Sequence, residues 1–430
     1  MRAVVIADDL TGANDTGIRF AMRGIPAVVR LKADEPALIC PGAVVFDTDS
    51  RSDDQETAYR KVRELCENLL PFEPELVYKK IDSTLRGNIG AEIDAVYDVL
   101  RPDVVVIAPA FPDNGRSVKD GILYVDDLPL HLTETARDVK TPVSDSRLTS
   151  WLGSQTKNRV GLIGLGTIES GSRAVADGIR SLVERGVPYL VFDSVAGEHL
   201  TRIAEAVNLT GLRAVWCGSA GLAGALLHDH PVRPLSRGIA DIGGSNRILL
   251  VTGSVSERTR IQVERIVQDP NVEGIELRGS WLLQPSECGR ELSLAHGKAL
   301  SAFREGKHVA LYLSARPDEM KRTGRIGSEM NLDPRAVSAR LNAGLATLAA
   351  GLIRHQEIRR LIMVGGDTAR SIFLMLGIDE LELIDEVDSG VPLVRTKGGH
   401  PIHAMTKSGG FGDDRILQRM LQYFWEKVHQ

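Results

Sequence analysis

Short, unbroken apolar runs alternate with segments of helical spacing along the first half of the chain. Ala3–Ala7 is a run of the kind expected for a parallel strand buried on both faces. It ends in DDLTGANDTG, which sets Asp8 and Asp9 at a strand end, with Gly12 permitting a tight turn before Ile18, Phe20, Ala21 and Met22 take up helical spacing. A second run, Ala43–Asp47, leads into TDSRS and then a predicted helix over Asp53–Leu70. The apolar run Leu76, Val77, Tyr78 stops at KKIDSTLRGNIGAEIDAV, which reads as a strand end, a polar loop and a helix with Glu92 in its first turn. Val104–Ala108 is a further strand, followed by a loop rich in Pro, Gly and Asn. From Val160 to Leu227 strand and helix alternate through VGLIGL, YLVFD and AVWCGS, as expected of βαβ units.

Pro231 to Asn246 has neither period and reads as a linker. Beyond it a new βαβ series begins with a strand at Ile248–Val251 and a helix from about Glu257. The predicted fold is α/β in two domains, 1–232 and 246–430, each a mostly parallel sheet flanked by helices. The length of 430 residues, too long for one ordinary core, agrees.

Composition narrows the classes. With 43% hydrophobic and 25% charged residues and a net charge of -5, the chain has the balance of a soluble globular protein, without a basic tail or face that would track nucleic acid. No apolar run stands out as a membrane span, and the start lacks a secretory pattern. The four cysteines, Cys40, Cys66, Cys217 and Cys288, include no CxxC pair and read as reduced thiols of a cytoplasmic protein.

Candidate chemistry gathers at strand ends, where ligands bind in open α/β sheets. Asp8 and Asp9 suit substrate hydroxyls, magnesium or a proton, although helix capping by Asp9, Thr11 or Asn14 explains the same residues. Lys79, Lys80, Asp82, Ser83, Thr84, Arg86 and Asn88 make a plausible cradle for a carboxylate or phosphate, or else a solvated strand-to-helix connection. Arg51 lies at a third strand end, and Asn114, Gly115 and Arg116 are within reach of the same cleft. In the second domain Ser254 and Ser256, LIMVGGDTARSI and TKSGGFGDDRIL place serine or glycine turns before helices, where backbone amides approach phosphates. N-capping by Ser256 is the competing account of the first. No P-loop or protein-kinase motif set occurs, and the GxG of Gly164 and Gly166 fails as a dinucleotide fingerprint at Glu169.

Through VIADDLTGANDTG, KKIDSTLRGNIG, GGDTA and KSGGFG, in this order over essentially the whole length, the chain resembles the four-carbon acid sugar kinases. The resemblance implies a sugar acid held by the first domain, ATP with Mg2+ held by the second, and phosphorylation of the terminal hydroxyl in the cleft between them. Asp9, Arg51, the run Lys80, Ile81, Asp82, Ser83, and Arg86 would fall on the substrate side. Ser254, the turn Gly365, Gly366, Asp367, Thr368, and Gly409 with Gly410 would fall on the nucleotide side, Asp367 helping to hold the metal. Asp9 and Asp82 are the candidates for the group that accepts the hydroxyl proton. KKIDST and KSGGFG resemble the D-threonate and D-erythronate kinases more than the 3-oxo-tetronate kinases, so D-threonate is the leading substrate. The partner expected is a small molecule, with a homodimer as an option. A non-catalytic sugar-acid sensor and a dehydrogenase are the readings from other classes.

Overall fold

The computed structural model describes residues 3–32, 42–138, 140–232, 245–397 and 401–426. The chain divides near residue 234 into two compact units. Most of the linker expected at Pro231 to Asn246, residues 233–244, lies outside the described residues.

In the first unit the strands β1 (Ala3–Ala7), β2 (Ala27–Arg30), β3 (Ala43–Asp47), β4 (Leu76–Lys80) and β5 (Val104–Ala108) are connected by the helices α1 (Leu10–Ala21), α2 (Gln55–Leu69) and α3 (Ile89–Leu100). A small antiparallel sheet of β6 (Arg116–Lys119), β7 (Ile122–Val125) and β8 (Leu128–Pro129) follows. After α4 (Leu148–Gly153) come β9 (Val160–Ile163), α5 (Leu165–Glu169), α6 (Ser172–Glu184), β10 (Tyr189–Phe192), α7 (Gly197–Thr210), β11 (Ala214–Gly218) and α8 (Ala220–Leu226). The main sheet is parallel in the order β2-β3-β1-β4-β11-β5-β10-β9. Every residue of β1, β3 and β5 is buried, which is why these strands read as continuous apolar runs. The chain leaves β1 towards β2 on one side and β4 towards β5 on the other. The adjacent ends of β1 and β4 are therefore a switch point, where a crevice opens outside the strand ends.

Contrary to the turn expected at Gly12, DDLTGANDTG is mostly helix, because α1 starts at Leu10, with Asp9 as N-cap accepting a hydrogen bond from the Gly12 amide. Gly12, Asn14, Thr16 and Gly17 are poor helix formers, but all are buried, so packing outweighs their propensity.

The second unit runs β12 (Ser245–Thr252), α9 (Glu257–Ile266), β13 (Val272–Leu277), α10 (Gly279–Leu283), α11 (Pro285–Arg304), β14 (His308–Leu313), α12 (Pro317–Glu329), α13 (Pro334–Gln356), β15 (Ile358–Val364), α14 (Gly366–Met375), β16 (Glu380–Asp388), β17 (Val391–Thr396), β18 (His403–Lys407) and α15 (Ile416–Glu426). Its sheet order is β13-β14-β12-β15-β18-β17-β16, parallel from β13 to β18 and antiparallel beyond. Here the switch point lies between β12, which leads towards β13, and β15, which leads towards β16. α13, with 23 residues, is long and apolar enough to cross a membrane by length and composition, contrary to the sequence expectation. Its apolar face, including Leu345, Leu348, Leu352 and Ile353, is instead buried in the core of this unit.

Candidate active site

In the first unit the register pairs Ala7 with Asp47 on β3 and with Lys80 on β4, so the loops after three strands start at one level. The β3 loop is fastened to β1 by the amides of Ser50 and Arg51, both donating to the Asp8 carbonyl at 3.1 and 3.2 Å. This brings the Arg51 guanidinium onto two carboxylates. Its Nε and Nη2 donate to Asp8 Oδ2 and Oδ1 at 2.7 and 2.9 Å, and its Nη1 and Nη2 donate to Asp9 Oδ2 and Oδ1 at 2.8 and 2.7 Å. Four of the five guanidinium N–H groups are thus engaged. Arg51, expected to meet the substrate, is chiefly a clamp on Asp8 and Asp9.

Burial pushes both carboxyls up, and their surroundings then separate them. Against burial, Arg51 together with Lys79 and Lys80 holds Asp8 below the usual carboxylate value. Asp9 stands above it, because burial and the neighbouring charges of Asp8 and Asp82 outweigh Arg51.

Alternation along β4 sends its two lysines to opposite faces. Lys79 is wholly buried, with Nζ 2.7 Å from Glu92 Oε2 on α3, and Ser50 Oγ donates to Glu92 Oε1 at 2.8 Å. Lys80 lies on the other face against α1, where a Cβ on Gly12 would stand 2.5 Å from Lys80 Nζ and 2.7 Å from Asp9 Oδ1. Glycine is needed there for close approach. Lys80 is 4% exposed, and its ammonium makes no hydrogen bond or ion pair among the described residues.

The KKIDST turn continues with Ile81, a core residue whose amide donates to the Gly218 carbonyl at 2.9 Å and which offers no polar side-chain atom. Asp82 receives Arg86 Nε at 2.7 Å, Arg86 Nη2 at 3.2 Å and Thr84 Oγ1 at 2.5 Å. Burial would raise its carboxyl, but Arg86 and Arg51 hold it well below the usual range. Arg86 also reaches Asp138 at 3.4 Å, and Ser83 is buried beside it in the turn. Gly87, at φ +100, passes the Arg51 side chain, where a Cβ would lie 3.2 Å from Arg51 Cγ and 3.3 Å from Asp8 Oδ2.

Asp8 and Lys79, candidates at their strand ends, support the site from beneath, together with Glu92, noted only as a helix residue, and Ser50, which nothing in the sequence marks. Glu92→Gln should leave buried Lys79 without its ion-pair partner, Asp8 being beyond ion-pair distance, and cost about 3–5 kcal/mol in urea unfolding. Lys79→Met with Glu92→Leu should recover most of that loss. A single variant within about 0.5 kcal/mol of the parent, the range of neutral surface changes, would remove the pair's structural role.

In the second unit the turns after β12, β15 and β18 meet. A Cβ on Gly409 would fall 2.3 Å from Ser254 Oγ and 3.4 Å from Thr259 Oγ1, and one on Gly365, at φ +105, would fall 3.9 Å from the Ser254 amide. Ser256 caps α9 by accepting from the Thr259 amide at 3.2 Å, and Ser256 Oγ and Thr259 Oγ1 donate to the Gly409 carbonyl at 3.1 and 2.9 Å. Capping and site-building are therefore the same contacts. Thr368 Oγ1 donates to Asn342 Oδ1 at 2.8 Å, so its hydroxyl anchors the turn. Gly366 opens α14, whose first turn also carries Asp367, an exposed residue. Gln262 Nε2, missed from sequence, fastens the loop after Gly410 by donating to the carbonyls of Phe411, Gly412 and Asp413 at 2.9–3.2 Å.

No group of three or more His, Cys, Asp or Glu side chains suited to a metal is gathered among the described residues. Asp367, exposed in the first turn of α14, is a single carboxylate of the kind that magnesium carried by phosphates takes alongside its waters. Cys66, Cys217 and Cys288 are free thiols, and burial raises the first two to about 12, which makes them inert.

Buried acids and bases gather at the strand ends of one sheet, and glycine turns at the switch point of the other. Comparison with known proteins agrees. Residues 3–226 match a sugar-binding N-terminal domain and residues 249–417 a nucleotide-binding C-terminal domain. The chain is 31% identical to a D-erythronate kinase of Heliobacterium modesticaldum, covering 99% of this chain and 97% of that one. It is 30% identical to a D-threonate kinase of Salmonella typhimurium, covering 99% of each, and 30% identical to a 3-oxo-tetronate kinase of Pseudomonas savastanoi, covering 97% and 96%. A crystal structure from Salmonella typhimurium LT2, described as a tRNA synthase, superposes with a TM-score of 0.78 at 27% identity over 97% of this chain and 98% of that one. The chain belongs to the four-carbon acid sugar kinase family.

Proposed function

We propose that the protein transfers the γ-phosphoryl group of ATP to the terminal hydroxyl of a four-carbon sugar acid, with D-threonate as the substrate of choice and D-erythronate and 3-oxo-tetronate as competitors. The observation that carries this reading is the Lys80 ammonium, buried, unpartnered among the described residues and set beside the first turn of α1 and the Asp9 carboxylate. A carboxylate there gains a charge-assisted bond, while a hydroxyl of the same small molecule reaches the adjacent aspartates. Phosphoryl transfer then asks the protein for in-line positioning and cancellation of charge. Magnesium, when bound, neutralises the phosphate oxygens. Asp9 accepts the hydroxyl proton, Arg51 fixes the Asp9 carboxylate in place, and the glycine turns present amides to the nucleotide.

The two glycines of the last turn separate nucleotide binding from folding. A side chain at Gly410 would meet no protein atom within 4 Å, whereas one at Gly409 strikes Ser254. Gly410→Val should therefore fold normally and bind ATP at least about tenfold more weakly in calorimetry, the worth of one hydrogen bond to a charged group. Binding of sugar acid should be unchanged. A folded Gly410→Val protein with parental ATP affinity would show the turn to be structural.

A further inference from the structure

Lys407 ends β18, next to Ser408 and the two glycines, and its side chain is wholly buried. Lys79, also fully buried, has Glu92 at 2.7 Å. Lys407 has no carboxylate within ion-pair distance among the described residues; its ammonium donates to the Ser408 carbonyl at 2.8 Å. The charged group acting on it is another cation, Arg258 of α9. Asp413 and Asp414, beyond the glycine turn, pair with Arg419 and with Arg258 and Arg265, and Asp367 of α14 forms no ion pair with it. A buried ammonium without a counter-ion is costly unless the anion comes from outside the protein.

The geometry of the turn says where that anion would lie. In a trans peptide the C=O and N–H groups point in opposite directions, and no peptide bond among the described residues is cis. The Ser408 carbonyl accepts both the Lys407 ammonium and, across the turn, the Phe411 amide at 3.2 Å, so the Gly409 N–H points away from both donors. With the Gly409 carbonyl held by Ser256 and Thr259, the Gly410 N–H points away from α9. Neither amide has a hydrogen-bond partner among the described residues. Two successive free amides of this kind form an anion-binding concavity. The Lys407 carbonyl in turn accepts the Gly365 amide at 2.9 Å, which ties this turn to the one that opens α14.

We propose that Lys407 is a positioning residue for nucleotide phosphates: with the Phe411 amide it holds the Ser408 carbonyl and so aims the Gly409 amide, beside the Gly410 amide aimed by Ser256 and Thr259, and the polyphosphate supplies the counter-charge that its ammonium lacks within the protein. This rests on the assignment of the second unit to ATP. It carries a consequence that a purely structural lysine does not share. Burial, with Arg258 adding to it, lowers the Lys407 ammonium to about 7, so much of it is neutral at pH 8. An arriving polyanion favours the charged form, and ATP binding takes up a proton.

Calorimetry of ATP binding with Mg2+ at pH 8, in two buffers of different ionisation enthalpy, reads this directly. The wild-type protein should take up about one proton per ATP, falling towards none at pH 6, where Lys407 is already charged. Lys407→Met should remove the uptake and weaken ATP binding about tenfold, and Lys407→Arg should restore affinity without uptake. ATP binding to the wild type with a buffer-independent enthalpy at pH 8 overturns the inference and leaves the nucleotide assignment standing. Absence of ATP binding overturns both.

Discussion

Asp9→Asn should lower kcat for sugar-acid phosphorylation by about 100- to 10,000-fold, the range for losing a general base, with the protein still folded. Asparagine keeps the oxygen that caps α1 through the Gly12 amide, and Asn is as good an N-cap as Asp, so the helix start survives. What disappears is a carboxylate able to take a proton. Of the two candidates, Asp82 is the poorer base, because Arg86 and Thr84 engage it and hold its carboxyl well below the ordinary value. Asp9 lies on the other side of that value, raised by burial and by the charges of Asp8 and Asp82. The pH profile follows with a definite sign. A base must be deprotonated to act, so kcat/KM should rise with pH along an acid limb whose midpoint lies above the 3.8 of an ordinary Asp. An Asp9→Asn enzyme within tenfold of the parent would transfer the role to Asp82 or remove it from both.

Lys80→Gln should raise KM for the sugar acid by about 10- to 100-fold, the worth of one charge-assisted hydrogen bond, and leave KM for ATP within about twofold. The effect falls on one substrate because the ammonium lies in the first unit beside Gly12 and Asp9, without a protein partner among the described residues to share it. Arg51→Gln should behave differently, although sequence reasoning treats the two cations alike. It releases two buried carboxylates that are held at 2.7–2.9 Å, so kcat and stability fall together with affinity. Equal changes in both Michaelis constants for Lys80→Gln would contradict its role.

The parallel strands of the first unit are legible because burial on both faces leaves only apolar residues in β1, β3 and β5. Strand ends are then marked by the sudden arrival of charge, and the three loops expected to converge do so. β16 is harder, since its sequence ELELIDEVD carries five acids in a strand that is half exposed. The start of α1 is hidden for a different reason: its glycines and small polar residues argue for a loop, and only packing against Lys80 and Asp9 makes them suitable for a helix. Neighbouring Lys79 and Lys80 look equivalent in sequence. The strand period of two already separates their faces, but that Glu92 waits on one of them is a tertiary fact. The partners of Arg51 are likewise 42 and 43 residues away in sequence, beyond any local pattern.

The most direct measurement is ATP consumption by the purified protein, with Mg2+, against D-threonate, D-erythronate, 3-oxo-tetronate and acids of three and five carbons, with the product's phosphate position assigned by phosphorus–proton NMR. Turnover should be confined to four-carbon acids, highest with D-threonate, with the phosphate on the terminal hydroxyl. Phosphorylation at another hydroxyl, or binding of these acids and of ATP without any turnover, would contradict the proposed function.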